Sequence, residues 1–128
     1  MNDTPSSVSR RATILIVEDD PDLREVFQIA LTFEGYDVRE ARSGFEALRM
    51  LDAHPPDLVL LDLGLPGIDG FAVREEISAN AFTQHIPVVI VTASTQDLSH
   101  LDAAVVLRKP ISPSDVVETV RIHLAMGA

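Results

Sequence analysis

Residues 13–21 read TILIVEDDP, and this short stretch decides the fold. Its first five residues are apolar or β-branched with no polar alternation, the pattern of a strand covered on both faces, as in a parallel sheet. Three acids follow at once. Pro21 then suits the first position of a helix that Asp20 can cap.

The same pattern recurs along the chain. Apolar runs stand at 58–61 (LVLL), 87–91 (PVVIV) and 104–107 (AVVL), and a shorter alternating run at 36–39 (YDVR) suits an edge strand. Helical segments separate them. The first places Leu23, Val26, Phe27, Ala30 and Leu31 on one stripe and ends at Gly35. The second opens on a capping box, Ser43 with Glu46, carries Phe45, Leu48 and Leu51, and stops at His54-Pro55-Pro56. A third, from Asp69 to about residue 81, turns Phe71, Val73 and Ile77 inward. The last starts at Ser112-Pro113 with a stripe of Val116, Val117, Val120 and Leu124. Strands and helices in strict alternation predict a three-layer α/β sandwich, a flavodoxin-like, doubly wound, five-stranded parallel sheet of order 2-1-3-4-5. Between the last two strands, TQDLSHLDAAV (95–105) leaves room for only a shortened fourth helix. Residues 1–11, rich in Ser, Thr, Pro and Arg, read as a flexible lead-in to a domain over 12–126.

Composition narrows the function. Twenty acids against ten bases in 128 residues give a net charge of −10, which disfavours a surface that neutralises nucleic-acid phosphates. There are no cysteines, which excludes disulfides, thiolate nucleophiles and Cys-ligated metals. His54, His85, His100 and His123 show no ligand-like spacing. No apolar stretch is long enough to span a bilayer, and the N-terminus lacks a signal-peptide core, so a cytoplasmic protein is expected. Lys109 is the one lysine among the ten bases.

In a doubly wound sheet, sites form beyond the carboxyl ends of the strands. The residues there are Glu18-Asp19-Asp20, Asp62, Thr92 and Lys109-Pro110. Glu18, Asp19 and Asp62 are expected within about 5 Å of one another, where each pair repels by roughly 3 kcal/mol at an effective dielectric near 20. Protonation or a hard divalent cation must offset this, and an oxygen-only donor set points to Mg²⁺. Asp20 reads simply as a helix cap. Lys109 and Thr92 supply a cation and a hydroxyl for a phosphoryl group, and Asp62 is an already ionised nucleophile. The chemistry predicted is phosphoryl transfer onto Asp62.

ILIVEDDP (14–21), LLDLGLPGIDG (60–70), VTAS (91–94) and RKP (108–110) resemble the receiver domain of two-component response regulators, in the form of a stand-alone, chemotaxis-regulator-like receiver. The resemblance implies Asp62 as phosphoacceptor, Glu18 and Asp19 as the acidic pocket, and the Gly64 carbonyl as a further Mg²⁺ ligand. Thr92 resembles the switch hydroxyl and Lys109 the phosphate-pairing lysine, with a cis bond before Pro110. Pro66, Asp69 and Gly70 match the loop and helix start after the phosphoacceptor. The implied partners are a histidine kinase or histidine phosphotransfer protein and a downstream protein, with no nucleic acid or membrane, in a monomer or weak dimer. Such a domain is not a turnover enzyme.

Departures from the family pattern fall on the output side. Val106 stands where an aromatic is common, Ile111 likewise, and Asp102 where Gly is common. The interval from Thr92 to Lys109 is also several residues shorter than usual. Two other readings follow from these residues: a receiver-shaped binding module with vestigial phosphorylation, and a Mg²⁺-dependent aspartyl phosphatase. Gly64 opposes the second, because such enzymes usually carry an Asp there as general acid.

Overall fold

A computed structural model describes residues 11–127 apart from 66, 102 and 104. The lead-in expected over 1–11 lies, Arg11 excepted, outside the described residues, as do the readings placed on Pro66, Asp102 and Ala104. Five parallel strands form one sheet in the order β2-β1-β3-β4-β5. They are β1 (Thr13–Val17), β2 (Asp37–Ala41), β3 (Leu58–Asp62), β4 (Val88–Thr92) and β5 (Val105–Arg108). Four helices connect and flank them: α1 (Pro21–Phe33), α2 (Gly44–Ala53), α3 (Gly70–Ala79) and α4 (Pro113–Gly127).

The central strands β3 and β4 are buried at every position, as their unbroken apolar runs require. Alternate side chains serve two cores. Ile14, Ile16, Leu58, Leu60, Val89 and Val91 pack with Phe27 and Leu31 of α1 and Val116 and Val120 of α4. On the other face, Leu15, Val17, Val59, Leu61 and Ile90 meet Ala47 and Leu51 of α2 and Val73 and Ile77 of α3. Two layers of helix thus enclose the sheet.

Helix ends form where the sequence marks them. Asp20 accepts from the amides of Asp22 and Leu23, Ser43 from Glu46, and Asp69 from Ala72. The capping box of α2 closes one residue early: the Glu46 carboxylate accepts from the Arg42 amide at 2.7 Å, not from that of Ser43. Helix α1 stops in a Schellman arrangement. Gly35 has φ 97°, its amide donates to the Thr32 carbonyl at 3.0 Å, and that of Tyr36 donates to the Leu31 carbonyl at 3.3 Å.

Four expectations need correction. Val26 and Phe45, counted among the apolar residues of their helices, and Phe71, read as inward, are 42%, 60% and 38% exposed. Each sits at the margin of a helical stripe wide enough to admit it, while the sheet needs only the centre of that stripe. The shortened fourth helix is further reduced: among the described residues, 93–101 hold no helix, only bends at Gln96 and Leu101 and a turn at Ser99 and His100, with a Leu101 N–H to Leu98 carbonyl bond of 3.0 Å. Leu98 is nevertheless buried and packs in the α2/α3 core. One leucine thereby covers sheet surface that a helix would otherwise cover. Among the described residues, no helix is long and apolar enough to cross a membrane.

Candidate functional site

The carboxyl ends of β1, β3, β4 and β5 come together. Parallel pairing sets Val17 beside Leu61, Asp62 beside Val91, and Thr92 beside Arg108. Glu18 and Asp62 are buried, although both are acids, and Asp19 is exposed. Carboxylate oxygens of Glu18, Asp19 and Asp62 all lie within 4.8 Å of one another. The mutual distance predicted from strand order is therefore realised.

Lys109 answers this charge. Its Nζ lies 3.1 Å from Glu18 Oε1 and 3.5 Å from Asp62 Oδ2. One ammonium between two buried carboxylates leaves net negative charge. Burial, with the Asp62 charge added, pushes the Glu18 carboxyl up to about 7, against the hydrogen bond and charge of Lys109. Burial also opposes the Lys109 ammonium, but the hydrogen bonds and charges of Glu18 and Asp62 outweigh it and leave its pKa raised.

Backbone amides orient the acids. Asp62 Oδ1 accepts from the Gly64 N–H at 3.0 Å, and Glu18 Oε2 from the Asp20 N–H at 3.2 Å. Gly70 presses against the strand end: a Cβ there would stand 2.5 Å from Leu63 Cα and inside contact distance of the Asp62 carbonyl. Thr92 is buried, and its hydroxyl accepts from the Ser94 N–H at 3.1 Å. The Lys109 amide donates to the Thr92 carbonyl at 2.8 Å, and the Lys109–Pro110 bond is cis.

All six residues singled out in the sequence, Glu18, Asp19, Asp62, Gly64, Thr92 and Lys109, thus lie at one end of the sheet. Two arginines to which the sequence assigns no role lie there as well. Arg24 of α1 donates to the Glu18 carbonyl at 2.8 Å and pairs with Glu40 at 3.3 Å. Arg108 donates to the carbonyls of Ser94 and Gln96. A basic residue one turn into a helix was the available signal for Arg24. For Arg108, whose acceptors are loop carbonyls, there was none.

Three carboxylates, no nitrogen or sulfur donor and an excess of buried negative charge make a cluster that can hold a hard cation. A model of the response regulator receiver domain matches residues 14–121, nearly the whole described chain. The chain belongs to the response regulator receiver domain family.

This receiver is 37% identical over 119 residues to the DNA-binding response regulator MtrA of Mycolicibacterium smegmatis, covering 89% of the chain and 51% of MtrA. It is 32% identical over 117 residues to the polar-differentiation response regulator DivK of Brucella ovis, covering 88% of the chain and 95% of DivK. Among solved structures it resembles the phosphorylated cyanobacterial phytochrome response regulator RcpA, with a TM-score of 0.77, 30% identity, and coverage of 89% of this chain and 91% of that one. The receiver spans about half or less of the curated transcriptional regulators it matches. Its place, by family, is in two-component signalling.

Proposed function

We propose that Asp62 accepts a phosphoryl group from a phosphohistidine donor in a Mg²⁺-dependent step, and that a partner protein reads the resulting surface change. The observation that carries this reading is the approach of the chain's one lysine to both Glu18 and Asp62 at the rim of a three-carboxylate cluster.

A carboxylate oxygen of Asp62 attacks phosphorus as the P–N bond to the donor histidine breaks, and the electron pair leaves with the imidazole. Asp62 needs no general base, since an ionised carboxylate attacks without losing a proton. Lys109 turns from Asp62 towards the incoming equatorial oxygens, and the Thr92 hydroxyl donates to another. The Gly64 amide holds the other oxygen of Asp62 in place. Glu18, Asp19, Asp62 and the Gly64 carbonyl would hold Mg²⁺, which neutralises charge on the transferring group when bound. The all-oxygen donor set, deficient in positive charge, fits that ion.

The likeness to RcpA, a response regulator captured in phosphorylated form, supports the same chemistry. The chain's net charge of −10 favours protein partners over nucleic acid; a cytoplasmic setting and a monomer or weak dimer complete the reading. Intact-mass measurement after incubation with Mg²⁺ and a small phosphodonor tests the reading. Wild type should gain the mass of one phosphoryl group, and Asp62→Ala none. An unchanged wild-type mass, or an equal gain in the variant, overturns it.

A further inference from the structure

Two consecutive residues at the end of β5 point to different tasks. Lys109 reaches Glu18 and Asp62. Arg108, its neighbour, sends one guanidinium nitrogen to the Ser94 carbonyl and the other to the Gln96 carbonyl, the latter at 2.7 Å. These carbonyls belong to the segment that leaves Thr92. Ser94 also donates its amide to the Thr92 hydroxyl, and its own hydroxyl accepts from the Gln96 amide at 3.1 Å. Ser94 is therefore tied to the site by two routes, directly through Thr92 and through Arg108 to the backbone of Lys109.

We infer that Arg108 is a positioning residue that couples the phosphoryl site to the 93–101 segment by clamping the Ser94 and Gln96 carbonyls; this rests on the reading of Asp62 as phosphoacceptor. Val106, the half-buried residue two positions earlier, is aliphatic and has no polar group with which to follow Thr92. A guanidinium suits the task because its planar fork addresses two carbonyls at once, which an ammonium on a flexible stem does not. The clamp has something to move. When Thr92 donates to a phosphoryl oxygen and Lys109 leaves Asp62, both anchors of Ser94 shift, and the clamp carries the shift to Gln96 and on to Leu98. Leu98 is buried in the core between the sheet and α2/α3, and Leu101 packs against that same core. Any displacement there alters surface and core together.

Backbone amide spectra of the full chain with Mg²⁺, with and without beryllium fluoride as phosphoryl mimic, test the clamp. In wild type the mimic should shift Gly64 and Thr92 and also Gln96, Leu98 and Leu101. In Arg108→Ala, Gly64 and Thr92 should respond as before while the response at Gln96, Leu98 and Leu101 falls severalfold. Arg108→Lys, which retains the charge but not the fork, should resemble Arg108→Ala. Exchange of the Leu101 amide should accelerate about tenfold in Arg108→Ala without the mimic, as expected for two lost hydrogen bonds. A full response at Leu98 and Leu101 in both variants, or unchanged Leu101 exchange, overturns the clamp alone. A wild type in which neither Gly64 nor Thr92 responds overturns the phosphoacceptor reading, and the coupling with it.

Discussion

Lys109 Nζ stands closer to Glu18 Oε1, at 3.1 Å, than to Asp62 Oδ2, at 3.5 Å. The lysine is thus held chiefly by the acid that is not the proposed nucleophile, and Asp62 keeps its second oxygen on the Gly64 amide. Such an arrangement stores the cation beside the reaction while leaving Asp62 the more loosely paired of the two acids. Lys109→Ala should slow phosphoryl acceptance roughly tenfold to a hundredfold, the range set by a lost charge-assisted hydrogen bond. Mg²⁺ affinity should not weaken, because a competing cation has been removed. Phosphorylation followed by intact mass and Mg²⁺ titration by calorimetry separate the two effects. Parallel losses in both would mean that Lys109 only holds the pocket together.

Asp19 and Asp20 are adjacent, exposed acids with different employment. Asp20 caps α1 through the amides of Asp22 and Leu23, whereas Asp19 contributes an oxygen to the acidic cluster. Asp20→Ala should lower stability by about 1 kcal/mol and leave Mg²⁺ binding intact. Asp19→Ala should do the reverse, weakening Mg²⁺ binding at least tenfold without loss of stability, since one repelling charge is gone. Chemical denaturation and Mg²⁺ titration of the two variants check this, and exchanged phenotypes would refute the assignment.

Gly64 and Gly70 both lie close to Asp62, but only one is sterically committed. A Cβ at Gly64 would meet Asp62 Oδ1 at 3.7 Å, an ordinary contact; at Gly70 it would run into the backbone of residues 62 and 63. Gly70→Ala should therefore cost about 1–3 kcal/mol, displace the end of β3 and depress phosphorylation. Gly64→Ala should cost less than about 1 kcal/mol. Denaturant midpoints decide between them, and equal costs would remove the argument from close packing.

Runs of buried strand residues made the sheet legible, because an all-apolar strand has few other uses; right-handed crossovers narrow its order, and the short alternating run at 36–39 marks β2 as an edge. The site was legible for a related reason: a polar residue directly after such a run must face the carboxyl edge of the sheet. Phe45 and Phe71 misled because hydrophobicity indicates a helical stripe but not its edges. Phe45 instead lies against the Gly67 turn, where a Cβ would meet its ring at 3.4 Å. The 93–101 segment was hidden for another reason. Its order depends on one buried leucine and on an arginine reaching backbone carbonyls, and neither leaves a periodic trace.

Tyr36 offers a readout of the opposite side of the domain, free of interference, because the chain has one tyrosine and no tryptophan. Burial raises its phenol above the ordinary 10.0; the Glu34 carboxylate raises it further, and the Arg121 guanidinium opposes. Ultraviolet titration of the phenolate should give a midpoint above 10.0, lowered by Glu34→Gln and raised further by Arg121→Ala. The sign for stability follows. A proton held more tightly in the folded chain stabilises it fully below the unfolded pKa of 10.0, and this contribution is lost as pH rises from there through the folded value. Comparison with Tyr36→Phe isolates the effect from other groups that titrate in the same range. The stability difference between the two proteins should be flat up to about pH 10 and then move against wild type. A difference that stays flat throughout, or a midpoint at or below 10.0, would show that the Tyr36 hydroxyl is solvated and that the turn joining α1 to β2 is more open than its Schellman bonds describe.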